Sequence, residues 1–308
     1  MNDIPNAAPA ELEQAAHVLE QSGDYRVLRR LVPRDDFGTR PDGPLLKAVV
    51  VDVETTGTDT EHDHIIELGM VCFEYSPDTG EVAWVSDVYD SFEDPGVPIP
   101  PESTAIHGIT REMVAGHRLD DDAVAELLED AQWVVAHNAA FDRPLLERRL
   151  PVFAGKRWLC SYAELPWAKL GFSSGKLEFL ANARGFFYEG HRSEIDCRAL
   201  LEVLRLPLPQ SGDTPWQRLL TSGAQQSYRI WAIDAPFDSK DALKARGYRW
   251  DGQRRCWHRT LSHDEAAAEA PWLKERVYGG RSREVELEVH DALTRYSQRP
   301  GRKMLRPL

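Results

Sequence analysis

The stretch LLKAVVVDVETTGTDT, from Leu45 to Thr60, carries two carboxylates, Asp52 and Glu54, inside a run that otherwise reads as buried strand. Residues two apart in a strand point to the same side, so both acids leave one face together. Val49, Val50, Val51 and Val53 make the run apolar on both faces, as in a central strand covered on each side. Two like charges in such a place need a counter-charge, and a buried carboxylate left unpaired takes up a proton instead. A hard divalent cation, Mg2+ or Mn2+, is the economical partner for oxygen donors. A strand with one solvated face is the other reading, and the pair alone leaves both open.

Two further stretches add candidates. HNAAFD puts Asp142 in the first turns of a helix directly after the apolar run QWVVAH, at the strand end where open α/β sheets build their sites. HRSEID puts His191 on a loop and Asp196 five residues later, near a helix start. Each has a plain structural explanation when taken singly: a first-turn acid complements the helix dipole, and a loop histidine is solvated. His62 and His64 are read as solvated loop residues, because no Cys or His cluster matches them. GFSSGKL is a turn before a helix, since its spacing and Leu177 do not fit a phosphate loop.

The elements that must hold these residues divide the chain into five stretches. Residues 1–44 read as a helical arm, with AELEQAAHVLEQSG closed by Gly23 and a second short helix at YRVLRRLV. Residues 45–206 begin with a meander of three strands (LLKAVVVDV, IIELGMVCFEY, VAWVSDVYD) and continue with alternating strands and helices. That order predicts an α/β domain, a mixed sheet covered by helices. Residues 207–227, opening with PLPQSGDTP, read as a linker. Residues 228–298 form a small Trp- and Arg-rich α+β domain whose hairpin turns at Asp251-Gly252, and residues 299–308 are a tail.

Composition fits this division. With 308 residues and 42% hydrophobic content, the chain can bury one large core and a second smaller one. The net charge is −13, but residues 1–226 carry −18 and residues 227–308 carry +5, an acidic body with a basic end. Cys72, Cys160, Cys197 and Cys256 stand far apart without a CxxC pair, so reduced thiols are expected. No run reaches the length of a membrane helix and the N-terminus lacks a secretory pattern, so no membrane partner and a cytoplasmic location are the expectations.

Asp52-x-Glu54 followed by Thr-Thr-Gly, Asn-Ala-Ala-Phe-Asp ending at Asp142, and His191-x4-Asp196 resemble, in order, the three motifs of the DEDDh exonuclease superfamily, which includes the epsilon proofreading subunit of bacterial DNA polymerase III. The segment from Thr104 to Thr110, with its HGIT, and Lys176-LEFL are similar to supporting segments of that family. The resemblance implies a ribonuclease H-like fold over residues 45–206. It also implies two Mg2+ or Mn2+ held by Asp52, Glu54, Asp142 and Asp196. His191 would be the general base toward an attacking water, histidine being the side chain suited to that exchange near neutral pH. Thr55, Thr56 and Gly57 would approach the 3′-terminal sugar through backbone and hydroxyl contacts, and Asn138 would line the site. His107 and Phe141 would pack on the terminal bases, although a histidine before Gly108 can equally cap a turn.

The expected function is a 3′→5′ exonuclease that releases nucleoside 5′-monophosphates from DNA ends, single strands preferred, in repair or turnover. Three alternatives stand beside it: a proofreading subunit with a polymerase partner, an exoribonuclease, and a non-catalytic nucleic-acid-binding scaffold. The last usually lacks a ligand, and none is missing here. Arg249, Arg254, Arg255 and Arg259 gather on or beside one hairpin, where like charges destabilise unless an anion binds. They are the expected remote contacts to nucleic acid.

Overall fold

A computed structural model describes residues 9–308, so the first eight residues of the expected arm lie outside the described part. In chain order the first elements are α1 (Pro9–Gln21), β1 (Arg29–Arg30), β2 (Leu46–Thr55), β3 (Ile65–Tyr75) and β4 (Val82–Phe92). Helices α2 (Pro101–His107), α3 (Arg111–Val114) and α4 (Asp121–Leu128) lead to β5 (Ala131–Ala136), α5 (Ala139–Arg149) and β6 (Trp158–Cys160). Then come α6 (Ser161–Glu164), α7 (Leu177–Ala183), β7 (Phe186–Phe187), α8 (Ser193–Arg205) and α9 (Pro215–Gly223). The C-terminal part contains β8 (Ser227–Ala232), α10 (Lys240–Ala245), β9 (Arg249–Asp251), β10 (Cys256–Leu261), α11 (His263–Arg276), β11 (Glu284–His290) and β12 (Arg302–Pro307).

The main sheet has the order β4-β3-β2-β5-β6, antiparallel from β4 to β2 and parallel from β2 to β6. This is the expected meander continued by crossovers, the ribonuclease H-like arrangement. Alternation along β2 splits the core in two. Val49, Val51 and Val53 join the layer under α4 and α5, while Ala48 and Val50 join the layer under α7, α8 and α9. Asp52 and Glu54 continue the second face, beneath the start of α8. Gly69, opposite Asp52 in the β2–β3 register, lets α8 come that close: a Cβ there would lie 2.4 Å from the Ser193 carbonyl carbon.

Four expectations about the flanking segments are corrected. YRVLRRLV is not helical; Arg29 and Arg30 form β1, which pairs in parallel with β7, and Leu31 packs on the core. The expected linker contains α9, whose Trp216 and Leu219 are fully buried in the main core, with the Trp216 ring edge-on to Phe73 and Tyr75 at 5.1 and 5.0 Å. Thr214 and Gln217 close a capping box and Pro215 opens the helix, so apparent linker residues are helix-start signals. The expected tail is β12, the outer strand of a second sheet ordered β12-β11-β8-β10-β9. The hairpin between β9 and β10 turns through residues 252–255 with Arg255 in the left-handed region (φ 50°), not through a two-residue Asp-Gly turn. Asp251 instead accepts the Arg254 N–H at 2.7 Å, closing a longer loop.

The segment from Asp291 to Arg299 ties the second sheet to the first domain. The Arg143 guanidinium, fully buried, donates to the carbonyls of Ala292, Leu293 and Arg295, and Trp158 N–H donates to Ala292. Arg295 pairs with buried Glu164 at 2.7 Å, and Tyr296 donates to the same carboxylate. All four cysteines are free thiols. No helix among the described residues is long and apolar enough to cross a membrane.

Candidate metal centre

Three of the four expected carboxylates come together. Oxygens of Asp52, Glu54 and Asp196 lie within 4.8 Å of one another, two supplied by the end of β2 and one by the first turn of α8. Asp142, buried in the first turn of α5 beyond the end of β5, adds its charge to Asp52 and Glu54. The crossover places it there, since β5 runs parallel to β2 and both strands end at the same edge.

The electrostatics say what the site lacks. Burial, then the charges of Asp196, Asp142, Glu54 and Glu67, pushes Asp52 well above the usual carboxylate range. Burial, with Asp196, Glu67 and Asp142, pushes Glu54 up to about 8, against a weaker pull from Arg192. Asp142 is pushed up to about 7 by burial, partly offset by the backbone of Asp142 and Val53. Asp196 is raised by burial against hydrogen bonds from the Arg192 backbone and the Tyr188 hydroxyl. Protons or cations must therefore supply positive charge, and an all-oxygen donor set suits a hard divalent ion. The residues present fit Mg2+ or Mn2+.

The other expected residues differ in how the fold holds them. His191 is exposed on the loop before α8, in the left-handed region at φ 66°. Thr55, Thr56 and Gly57 lie where β2 leaves the sheet, but both hydroxyls are engaged internally. Thr55 Oγ1 donates to the Gly57 carbonyl at 2.6 Å, and Thr56 Oγ1 donates to Asp63 at 2.8 Å. Gly57 leaves room for that Asp63 carboxylate, which a Cβ would meet at 2.5 Å. The expected hydroxyl contacts to a sugar are therefore already taken. His107 is buried and does cap a turn, its Nδ1 accepting the Ile109 N–H at 3.0 Å across Gly108. Burial lowers its pKa, and His191 is one of the charges it feels. Asn138 is exposed in the left-handed region at the start of α5, and Phe141 packs half-buried on the core.

Two of the four hairpin arginines are neutralised within their own domain. Arg254 pairs with Glu286 at 2.9 Å and lies 3.8 Å over the Trp231 ring, while Arg259 pairs with Glu265 and Glu269. The expectation that these charges lack internal partners fails for those two. Among the described residues, Arg249 and Arg255 make no ion pair.

Sequence reasoning passed over three side chains that shape the centre. Tyr188 donates to Asp196 at 3.0 Å, and buried Glu67 holds Arg192 and the Ser193 N–H. Glu67 was visible as an acid inside the apolar run IIELGM, by the same argument that singled out Asp52 and Glu54.

A carboxylate centre for divalent cations at the strand-end edge of a ribonuclease H-like sheet defines the class of a metal-dependent nuclease. Residues 49–204, just over half of the chain, match the RNase_T exonuclease family, and the chain belongs to that family. It is 32% identical over 164 residues to a DNA polymerase III PolC-type protein of Clostridium perfringens (strain 13 / Type A), a stretch covering 51% of this chain and 11% of that protein. A DNA polymerase III subunit epsilon-like protein of Rhodobacter capsulatus is 39% identical over 111 residues, 34% of this chain and 14% of that protein. The chain thus spans only a small part of the length of these curated relatives. A solved structure of Exonuclease X in complex with 5′ overhanging duplex DNA aligns at 25% identity and a TM-score of 0.40, covering 56% of this chain and 97% of that one.

Proposed function

We propose that this protein is a 3′→5′ exonuclease that hydrolyses terminal phosphodiesters of DNA, single strands preferred, and releases nucleoside 5′-monophosphates. The observation that carries the reading is the cluster of Asp52, Glu54 and Asp196 with Asp142 beside it, in a family of exonucleases. These four would hold two divalent cations, which when bound supply Lewis-acid stabilisation of charge on the attacking and leaving oxygens. His191 accepts the proton of the attacking water, its exposed loop giving it access to solvent and substrate. Thr55, Thr56 and Gly57 border the terminal sugar, with the hydroxyl protons of both threonines committed elsewhere. Phe141, His107 and Asn138 border the entry of the terminal nucleotides.

The test uses purified protein with end-labelled single-stranded DNA, duplex DNA and RNA in Mg2+ or Mn2+. Laddering from the 3′ end that stops with EDTA, and in Asp52→Ala or Glu54→Ala, is expected. Activity undiminished by EDTA overturns the reading, and preference for RNA overturns its substrate. The polymerase III relatives favour a second reading, proofreading within a replicase. Co-purification with a polymerase and stimulation on mispaired primer ends would select it.

A further inference from the structure

Glu67 faces Glu54 across the β2–β3 pairing and is 1% exposed. Both its oxygens are taken by the loop that carries His191. Oε1 accepts from Arg192 Nε at 2.9 Å and pairs with Nη2 at 2.8 Å, while Oε2 accepts the Ser193 N–H at 2.9 Å. Ser193 opens α8, and the cap residue Arg192 provides no side-chain cap of its own. A carboxylate from the neighbouring strand thus satisfies an orphan N–H at the positive end of the helix.

His191 immediately precedes this pinned pair and sits in a conformation that a residue with a Cβ keeps only where its surroundings impose it. Arg192 N–H also donates to Asp196 at 3.1 Å, so the loop is tied to both β3 and α8. Asp196 has an anchor of its own in Tyr188. Arg192 also feels the charges of Asp90 and, more weakly, Glu54, so a guanidinium freed from Glu67 has Asp90 as its nearest alternative partner.

We propose that Glu67 is a positioning residue for hydrolysis: through Arg192 and Ser193 it fixes the turn on which His191 stands, and so sets where the base meets the attacking water. This rests on the reading of His191 given above. Glu67→Gln keeps the volume and an acceptor for Ser193 but loses the charge that holds Arg192. Its kcat on a single-stranded oligonucleotide should fall about 10- to 100-fold, the scale of a misplacement of roughly 1 Å, with KM within about 2-fold. Mn2+ affinity by calorimetry should stay within about 2-fold, because Asp196 keeps its anchor in Tyr188 and Asp52 and Glu54 keep their places on β2.

The deciding measurement is the cycle with His191→Ala. If Glu67 acts through the base, Glu67→Gln should cost less than about 2-fold in the His191→Ala background. Equal losses in both backgrounds, or a loss of Mn2+ binding, overturn the inference while leaving the base in place. Wild-type turnover by His191→Ala overturns the base itself, and the inference falls with it. Should Glu67→Gln melt below the assay temperature, Arg192→Lys, at a side chain 46% exposed, takes its place in the same cycle with the same outcomes.

Discussion

Replacing Asp142 by Asn should make the metal-free protein more stable and leave it inactive. Asp142 is 3% exposed, and its pKa rises from an ordinary 3.8 to about 7. An acid whose folded pKa is raised is favoured in the fold while protonated, so its cost grows as pH climbs from the unfolded value to the folded one. That cost is about 1–2 kcal/mol at pH 5 and on the order of 4 kcal/mol above pH 7. Asn carries no charge at any pH. The stability gained by Asp142→Asn in EDTA should therefore increase by roughly 2–3 kcal/mol between pH 5 and pH 8, several degrees of melting temperature for a chain of this size. Melting curves in EDTA from pH 5 to pH 9 measure it. Adding Mn2+ at pH 8 should then reverse the order, since cations stabilise the wild type by binding its folded form and find a weakened site in the variant. A gain independent of pH, or a wild type whose metal-free melting point holds steady from pH 6 to pH 9, would refute the picture of four acids sharing too little positive charge.

Truncation after Leu206 should leave no cooperatively folded protein, because it removes Trp216 from between Phe73 and Tyr75, a loss of about 3–5 kcal/mol alone. It also strips buried Arg143 of its three carbonyl partners; a sharp melt and activity in the truncated protein would refute this. Tyr188→Phe should weaken Mn2+ binding about 10- to 100-fold by calorimetry, as loss of a hydrogen bond to a ligand carboxylate commonly does. If Arg249 and Arg255 contact phosphates, changing both to Glu should weaken binding to long oligonucleotides and flatten its salt dependence. Unchanged binding at low salt would clear the hairpin of that role.

How far the sequence disclosed the site depended on what kind of contact each residue makes. Asp52 and Glu54 were legible because strand period fixes which way a side chain points, and a charge in a valine run has few explanations. Asp142 and Asp196 were legible as acids in first helical turns, but their convergence was implied only by the family resemblance and not by spacing, since it depends on the parallel pairing of β2 with β5 and on α8 crossing Gly69. The commitment of the Thr55 and Thr56 hydroxyls was hidden for a related reason. Asp63, which holds Thr56, is seven residues away in a loop whose path no periodicity describes.

The boundaries of the domain misled where local composition and tertiary use diverge. LPLPQSGDTP has the prolines of a spacer, yet Thr-Pro-Trp-Gln spells a capping box with proline at the first helical position, and a tryptophan just inside an amphipathic start is a poor linker residue. The hairpin arginines show the opposite error. Their spacing suggested an unmet charge, but the acids that meet it, Glu265, Glu269 and Glu286, come from α11 and β11 and approach only when the second sheet closes. Clustered charge in a sequence therefore indicates a ligand only after the partners its own fold supplies are subtracted, and that subtraction leaves Arg249 and Arg255 on the hairpin but, in the metal centre, four carboxylates whose charge bound protons or a divalent cation must balance.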